Sequence, residues 1–372
     1  MPYSHRLNRQ LDRARENLVA WSARMGIIGQ APGLPRCAAW TEQDLRAFDY
    51  VLCSAGLVPD APLAELDLAS AWLCWASYGD DYYPSVFGRN LVAAKAQNRR
   101  LAAFMPAGDA AGAPASASPL EAGLADLWPR STSSMSPANQ QQLCGSVMEM
   151  LESWVSELAD EALNRIPDPV DYLEMRRATF GCSLTISLAR LAGRGQVPPE
   201  VYRSETIRDL EETASDYACL LNDVFSYQKE IEFEGQLHNG VLSVQRFLGC
   251  GIPAAVEVVN DLMTQRLRQF ERIIATRPAR AVRAAPARRP GPGGPGRVRP
   301  AVAGLARQHP ALAPGLRPVH RAAVAAPLRR RAREGGGDPD RTRHQRSTDH
   351  PPAGRRRGPW HPRTRLLMCG LR

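Results

Sequence analysis

Asn222-Asp223-Val224-Phe225-Ser226-Tyr227-Gln228-Lys229-Glu230 is the most informative stretch of this chain. It lies inside a long helical pattern that opens at about Glu200, just after Pro198-Pro199, and runs to Glu234. Asn222, Ser226 and Glu230 are spaced i, i+4, i+8. On a helix that spacing puts an amide oxygen, a hydroxyl and a carboxylate on one face, each about 6 Å beyond the last. All three are oxygen donors, the kind a hard cation such as Mg²⁺ takes. An ordinary polar helix face is the bland alternative. The pattern N/D-D-x-x-S/T-x-x-x-E arises by chance in a chain this long at roughly one in a hundred on average composition, which favours the metal reading.

The same periodicity extends outward in both directions. Two helices follow near 240–249 and 253–275. Two precede it at 138–165 and 168–194, the second opening after Pro167-Asp168-Pro169. Leu68, Trp72, Trp75 and Gly79 form a stripe within 62–83, and Leu7, Leu11, Ala14, Leu18 and Trp21 recur at helical spacing. Thr41 with Asp44 three residues on is close to a capping box. The Ala-, Gly-, Pro- and Ser-rich stretch 108–118 is the clearest internal loop. No convincing alternating strand is present, so residues 1–276 are expected to form one all-α bundle.

A second acid site, Asp80-Asp81-Tyr82-Tyr83-Pro84, is expected at a helix end, because Pro84 disfavours helical geometry at Tyr83. Two acids at the negative end of a helix dipole are unfavourable unless a cation joins them. Arg176, 46 residues before Asn222 with Gly181 soon after to break its helix, would serve as a bidentate phosphate clamp if it faced these sites.

The chain has 372 residues and a net charge of +9, but the charge is divided. Residues 277–372 carry 23 Arg, no Lys and 4 acids, or +19, which leaves −10 for residues 1–276. Arg, Pro, Gly and Ala supply 66 of those 96 tail residues. Such a stretch buries too little apolar surface to offset its ordering entropy and is expected to be disordered. The abrupt change at about residue 276, and the presence of only two Lys in the whole chain (Lys95 and Lys229), favour a reading-frame shift in GC-rich DNA over a basic arm or a linker. The eight Cys show no CxxC pair and read as reduced thiols. No apolar run approaches a membrane span, and no secretory signal pattern opens the chain. A cytoplasmic protein is expected.

Taken together, the aspartate-rich pair, the arginine and the Asn-Ser-Glu triad resemble the class I terpene synthases. The opening Pro2-Tyr3-Ser4-His5-Arg6-Leu7-Asn8, the run Asp80–Pro84 and the run Asn222–Asn239 (NDVFSYQKEIEFEGQLHN) look most like the C-terminal half of germacradienol/geosmin synthases. The resemblance covers residues 1 to about 276. It implies a helical bundle around a central apolar cavity, with Mg²⁺, three ions per site in the family. Asp80 and Asp81 would bind Mg²⁺ on one wall, and Asn222, Ser226 and Glu230 on the other. Arg176 and Lys229 would contact diphosphate oxygens. The implied reaction is protonation of germacradienol and retro-Prins loss of acetone to give geosmin, with a separate synthase supplying germacradienol. Pro84 and Ser85 stand where a third acid is usual. The family's last helix, with its Arg-Tyr pair, has no counterpart before the basic tail, and that loss would impair activity.

Three other readings compete: a cyclase acting on farnesyl or geranyl diphosphate, a catalytically impaired remnant, and, outside enzymes, a basic-tailed nucleic-acid or membrane binder. The tail lacks Lys and stacking aromatics, so no nucleic-acid partner is expected. A homodimer is expected by analogy with such folds. Tyr78, Tyr82, Tyr83, Tyr217 and Tyr227 lie near the motifs and read as core or rim, and His238 reads as a surface residue.

Overall fold

The computed structural model describes residues 6–29, 40–106, 114–192 and 199–276. The expectations for the basic tail and for residues 2–5 lie outside the described residues. Within them the all-α expectation holds. The helices are α1 (Leu11–Arg24), α2 (Glu42–Phe48), α3 (Tyr50–Leu57), α4 (Leu63–Phe87), α5 (Leu91–Ala102), α6 (Pro119–Thr132) and α7 (Pro137–Leu163). They continue with α8 (Pro169–Thr179), α9 (Cys182–Ala192), α10 (Pro199–Tyr202), α11 (Glu205–Tyr227), α12 (Gly240–Leu248) and α13 (Ile252–Thr276). Among the described residues the one extended pairing is a parallel bridge between Ile28 and Trp40.

Local chemistry explains most boundaries. Ser118, Ser136, Asp168 and Ser204 each accept a backbone N–H at a helix start, three of them just before a proline at the first turn. Thr41 and Asp44 form the expected capping box. The span expected as one helix over 168–194 breaks at Phe180-Gly181. Gly181 has φ +69°, a conformation only glycine adopts freely.

Two expectations are corrected. The helix carrying Asp80 and Asp81 does not end at Tyr83; α4 runs to Phe87, with Pro84 inside its final turns. Proline removes the donor for the Asp80 carbonyl but tolerates helical φ, and the Ser85 hydroxyl donates to the Asp81 carbonyl at 2.6 Å. The expected helix 200–234 is in three parts: α10, α11, and a π-helical turn over Gln228–Glu234. In addition, α1 starts at Leu11, leaving Leu7 outside it and exposed.

Two cores flank the site. The larger packs α1–α7 around Trp72, Trp75, Tyr78, Tyr83 and Trp154. The smaller joins α11, α12 and α13 through Leu220, Val241, Val259 and Met263. No single helix among the described residues is long and apolar enough to cross a membrane; the pair α12–α13 reaches that composition only together, bent by 116°. The described cysteines are free thiols.

Candidate active site

Between the cores lies a cavity of about 250 Å³, lined by Trp72, Leu73, Tyr83 and Trp154 on its apolar side. Asp80, Asp81, Arg176, Asn222, Lys229 and Glu230 also line it. Six of the seven residues singled out from the sequence therefore meet in one place. The seventh, Ser226, is buried one helical turn from Asn222 and does not line the cavity.

The α11 wall is a closed polar network. Asp223, fully buried, accepts from Arg176 Nε at 3.1 Å, Tyr172 Oη at 2.8 Å and the Gly240 backbone N–H at 3.0 Å. Arg176 Nη2 donates to Asn222 Oδ1 at 2.8 Å. Asn239 Nδ2 donates to Glu230 Oε2 and to the Asp223 carbonyl, both at 2.9 Å. Gly240 has to be glycine: a Cβ there would sit 2.8 Å from Asp223 Oδ2. Burial pushes the Asp223 carboxyl up to about 6, against the pull of the Arg176 charge. Arg176 is held above its ordinary value: desolvation opposes its charge, but the surrounding groups, Tyr172 and Asp223 foremost, outweigh it. Its guanidinium also lies 5.2 Å from the Phe180 ring. Arg176 is thus anchored by Asp223 rather than extended freely toward a ligand, with further N–H groups left for one. Lys229 Nζ pairs with Glu234 at 3.0 Å, so a phosphate would have to share it.

The α4 wall is sparser. Asp80 is exposed to the cavity, and Asp81 is half-buried. Trp40 Nε1 donates to Asp81 Oδ2 at 2.7 Å. The helices crowding Asp80 displace bulk water and raise its pKa, and the Asp81 charge adds to this; Arg176 and Lys229 pull the other way. Those opposed influences put the two walls within electrostatic reach.

Do these residues fit a cation? No three His, Cys, Asp or Glu side chains among the described residues converge on one point. The donors are instead mixed: amide, hydroxyl and carboxylate oxygens divided between two walls. Ser226 Oγ is the telling atom. It is buried without a hydrogen-bond partner, and such an atom costs roughly 1–3 kcal/mol unless something meets it. A hard cation held by Asn222, Ser226 and Glu230 would meet it, and Asn222 and Glu230 oxygens keep lone pairs after their protein hydrogen bonds. The residues fit.

The sequence reading missed Asp223, Tyr172, Asn239 and Trp40 as supports. It also misjudged His238, which is buried; its Nε2 lies 3.2 Å from Asp160 Oδ2. The five tyrosines are buried as expected, and Tyr83 and Tyr217 reach the cavity.

Comparison with known proteins identifies the family. The family model for terpene synthase family 2, C-terminal metal binding, matches residues 71–269, which include every site residue above except Trp40. Pentalenene synthase of Streptomyces avermitilis is 29% identical over 271 residues, 73% of this chain and 77% of that protein. The crystal structure of linalool/nerolidol synthase from Streptomyces clavuligerus, in complex with 2-fluorogeranyl diphosphate, aligns with a TM-score of 0.66 at 26% identity, over 83% of this chain and 96% of that one. Germacradien-4-ol synthase from Streptomyces citricolor aligns with a TM-score of 0.68 at 21% identity, over 89% and 99%, a likeness of fold.

Proposed function

The chain belongs to the class I terpene synthase family, and from that premise we propose that it is a Mg²⁺-dependent enzyme of the geosmin-forming type, converting germacradienol to geosmin and acetone. The observation that carries this reading is the short acid motif. Asp80 and Asp81 are followed by Pro84 and Ser85, with no third acid in that motif, while the Asn222–Ser226–Glu230 wall is complete. That departure fits a substrate that need not lose diphosphate. The likeness of Asn222–Asn239 to geosmin-forming chains supports it.

In this reading Asp80, Asp81, Asn222, Ser226 and Glu230 would hold Mg²⁺, which when bound supplies positive charge at the cavity mouth. Asn239 and Trp40 orient the carboxylates. Asp223 and Tyr172 fix Arg176. The faces of Trp72, Tyr83 and Trp154 line the space in which a carbocation would form, and such faces favour cations. The packed apolar floor excludes water until the skeleton has rearranged. The enzyme would work in the cytoplasm, taking its substrate from a separate germacradienol-forming synthase.

A second reading, cyclisation of farnesyl or geranyl diphosphate, is favoured by Arg176 and Lys229. Both cations line the cavity beside the acid walls, where diphosphate would lie.

One experiment separates the two. Purified chain is incubated with germacradienol and Mg²⁺, with and without chelator, and the products are read by gas chromatography–mass spectrometry. Chelator-sensitive geosmin is expected. No product from germacradienol, with chelator-sensitive cyclic terpenes from farnesyl diphosphate, would establish the second reading instead.

A further inference from the structure

The cavity carries more acid than a metal site uses. Besides Asp80, Asp81 and Glu230, two carboxylic acids of α7, Glu157 and Glu161, stand on its lining. They are four residues apart, on one face of the helix. Trp154 and Leu158 beside them on α7 are apolar or aromatic, as are Trp72 and Leu73 across the cavity on α4. Among the described residues neither acid has an ion-pair partner. A terpenoid seated against the aromatic floor would therefore meet a carboxyl group that belongs to neither metal wall.

The other proton donors on the lining are committed or weak. Tyr83 donates to Asn98, and His238 faces Asp160. Lys229 is paired with Glu234, and the Cys182 thiol faces Cys219 at 3.8 Å. Burial pushes the Tyr217 phenol up to about 12, a poor acid at neutral pH. Between the two glutamates, Glu157 is the nearer to the aromatic floor: it stands three residues from Trp154, whose ring packs 5.1 Å from that of Tyr83, and Glu161 stands seven. Asp80 of α4 and Arg176 and Thr179 of α8 act on it from the facing helices, and Glu161 from its own. Loss of bulk water, then repulsion by Asp80, favours its protonated form; Arg176 and the Thr179 hydroxyl oppose this. Glu157 is half-buried, so its carboxyl still opens on the cavity.

We propose that Glu157 is the general acid that protonates the terpenoid bound in this cavity. The assignment rests on the geosmin-forming reading above. The Glu157 proton adds to one carbon of a ring double bond of germacradienol, whose π pair becomes the new C–H bond. The second ring double bond closes onto the resulting cation and moves the charge next to the carbon that bears the hydroxylated side chain. The C–C bond to that side chain then breaks, and its electron pair forms a ring double bond. The side chain leaves as acetone, and its hydroxyl proton returns to the Glu157 carboxylate. A C12 hydrocarbon and acetone account for every atom, and the acid is regenerated. A second protonation and capture of water, outside this assignment, complete geosmin.

The test uses the full chain with germacradienol and Mg²⁺, reading acetone and geosmin together. Glu157→Gln keeps size and polarity but removes the acid. Both products should fall at least about 100-fold, the range for loss of a general acid. Helical circular dichroism and Mn²⁺ binding, followed by electron paramagnetic resonance, should match the wild type. Glu157→Asp should restore part of the rate, and Glu161→Gln should cost less than about tenfold. Glu157→Met, which must lose the same activity, serves if the Gln variant folds poorly. A Gln variant within about threefold of wild type overturns the assignment alone. A variant that loses Mn²⁺ affinity also overturns it, because Glu157 would then be a ligand. A folded wild type that leaves germacradienol untouched overturns the parent reading, and this assignment with it.

Discussion

The α11 wall holds its oxygen donors in a closed network, whereas the α4 wall holds Asp80 and Asp81 by few contacts. On this wall, Asn222 of α11 and Glu230 of the π-helical turn are each gripped by another side chain, and Asp223 ties Arg176, Tyr172 and the start of α12 together. On α4, Asp81 has the Trp40 indole and Asp80 faces the open cavity. The difference has a physical origin. A buried acid or amide is costly to leave unpaired, so the hydrogen bonds to Asn222, Asp223 and Glu230 hold this wall in place. Asp80 and Asp81 are held by fewer side-chain hydrogen bonds, so the α4 wall can change its partners when cations bind. The site pairs a preorganised half with an adaptable half.

The largest expected effect tests the rigid half directly. Glu230→Gln keeps the Asn239 contact but removes the charge, and metal-dependent turnover should fall about 10³-fold while the helical circular dichroism signal survives. Asn222→Leu should do the same. Full activity in either variant would show that the α11 wall does not hold the metal.

Asp223→Asn tests the network rather than a ligand. It leaves the Arg176 guanidinium buried without its counter-charge, a change that costs about 3–5 kcal/mol. Chemical denaturation should show that loss. The comparable change on the other wall, Asp80→Asn, should leave stability unchanged or slightly raised, because loss of bulk water and repulsion by Asp81 both disfavour the Asp80 charge. Equal losses from both variants would erase the distinction between the walls.

How much of this was legible in the sequence follows the same division. The i, i+4, i+8 set was readable because helical spacing is local. Its supports were not, because they arrive from far along the chain: Trp40 reaches Asp81 across 41 residues, and Arg176 reaches Asp223 across 47. No periodicity records such a meeting. A signal for Asp223 was nevertheless present. It stands three residues after Leu220 and four before Tyr227, inside the apolar stripe of α11, and an acid there needs a buried donor or cation. The π-helical turn over Gln228–Glu234 had no such signal; nothing in the local composition distinguishes i→i+5 from i→i+4 bonding. Pro84 was read as a helix end because the rule for the residue before proline is statistical, and the packing of Tyr82 and Tyr83 into the core outweighs it here.

Trp40→Phe sharpens the contrast at lower cost. The ring still packs on Phe48, Tyr50 and Tyr78, but Asp81 loses the indole N–H donor. Loss of a support of this kind costs about 10–100-fold in metal affinity. The expected result is the lower end, about tenfold in Mn²⁺ binding with a nearly unchanged melting temperature, since an open carboxylate can regain water. A fall of 100-fold or more would mean that the α4 wall is as preorganised as the other.

The smallest effect belongs to the seam where the α11 wall meets α7. His238 follows the π-helical turn and is buried against Asp160. Its pKa lies below the ordinary 6.5, mainly because burial disfavours the imidazolium; Asp160 opposes the shift, and Arg176 and Arg165 add to it. Below about pH 6.5 the unfolded chain therefore takes up this proton more readily than the folded one, and stability falls as pH falls through the window beneath that value. Buried acids whose pKa is raised, such as Glu161 and Glu211, act in the opposite sense, but they are common to wild type and variant. His238→Gln should thus be less stable than wild type at neutral pH and lose less on further acidification. The quantity to compare is the denaturation midpoint between about pH 7.5 and 5.5. A flatter profile in the variant assigns the proton uptake to this seam. Parallel profiles would mean that His238 charges as easily in the folded chain as in the unfolded one, and that the seam is wetter than its packing implies.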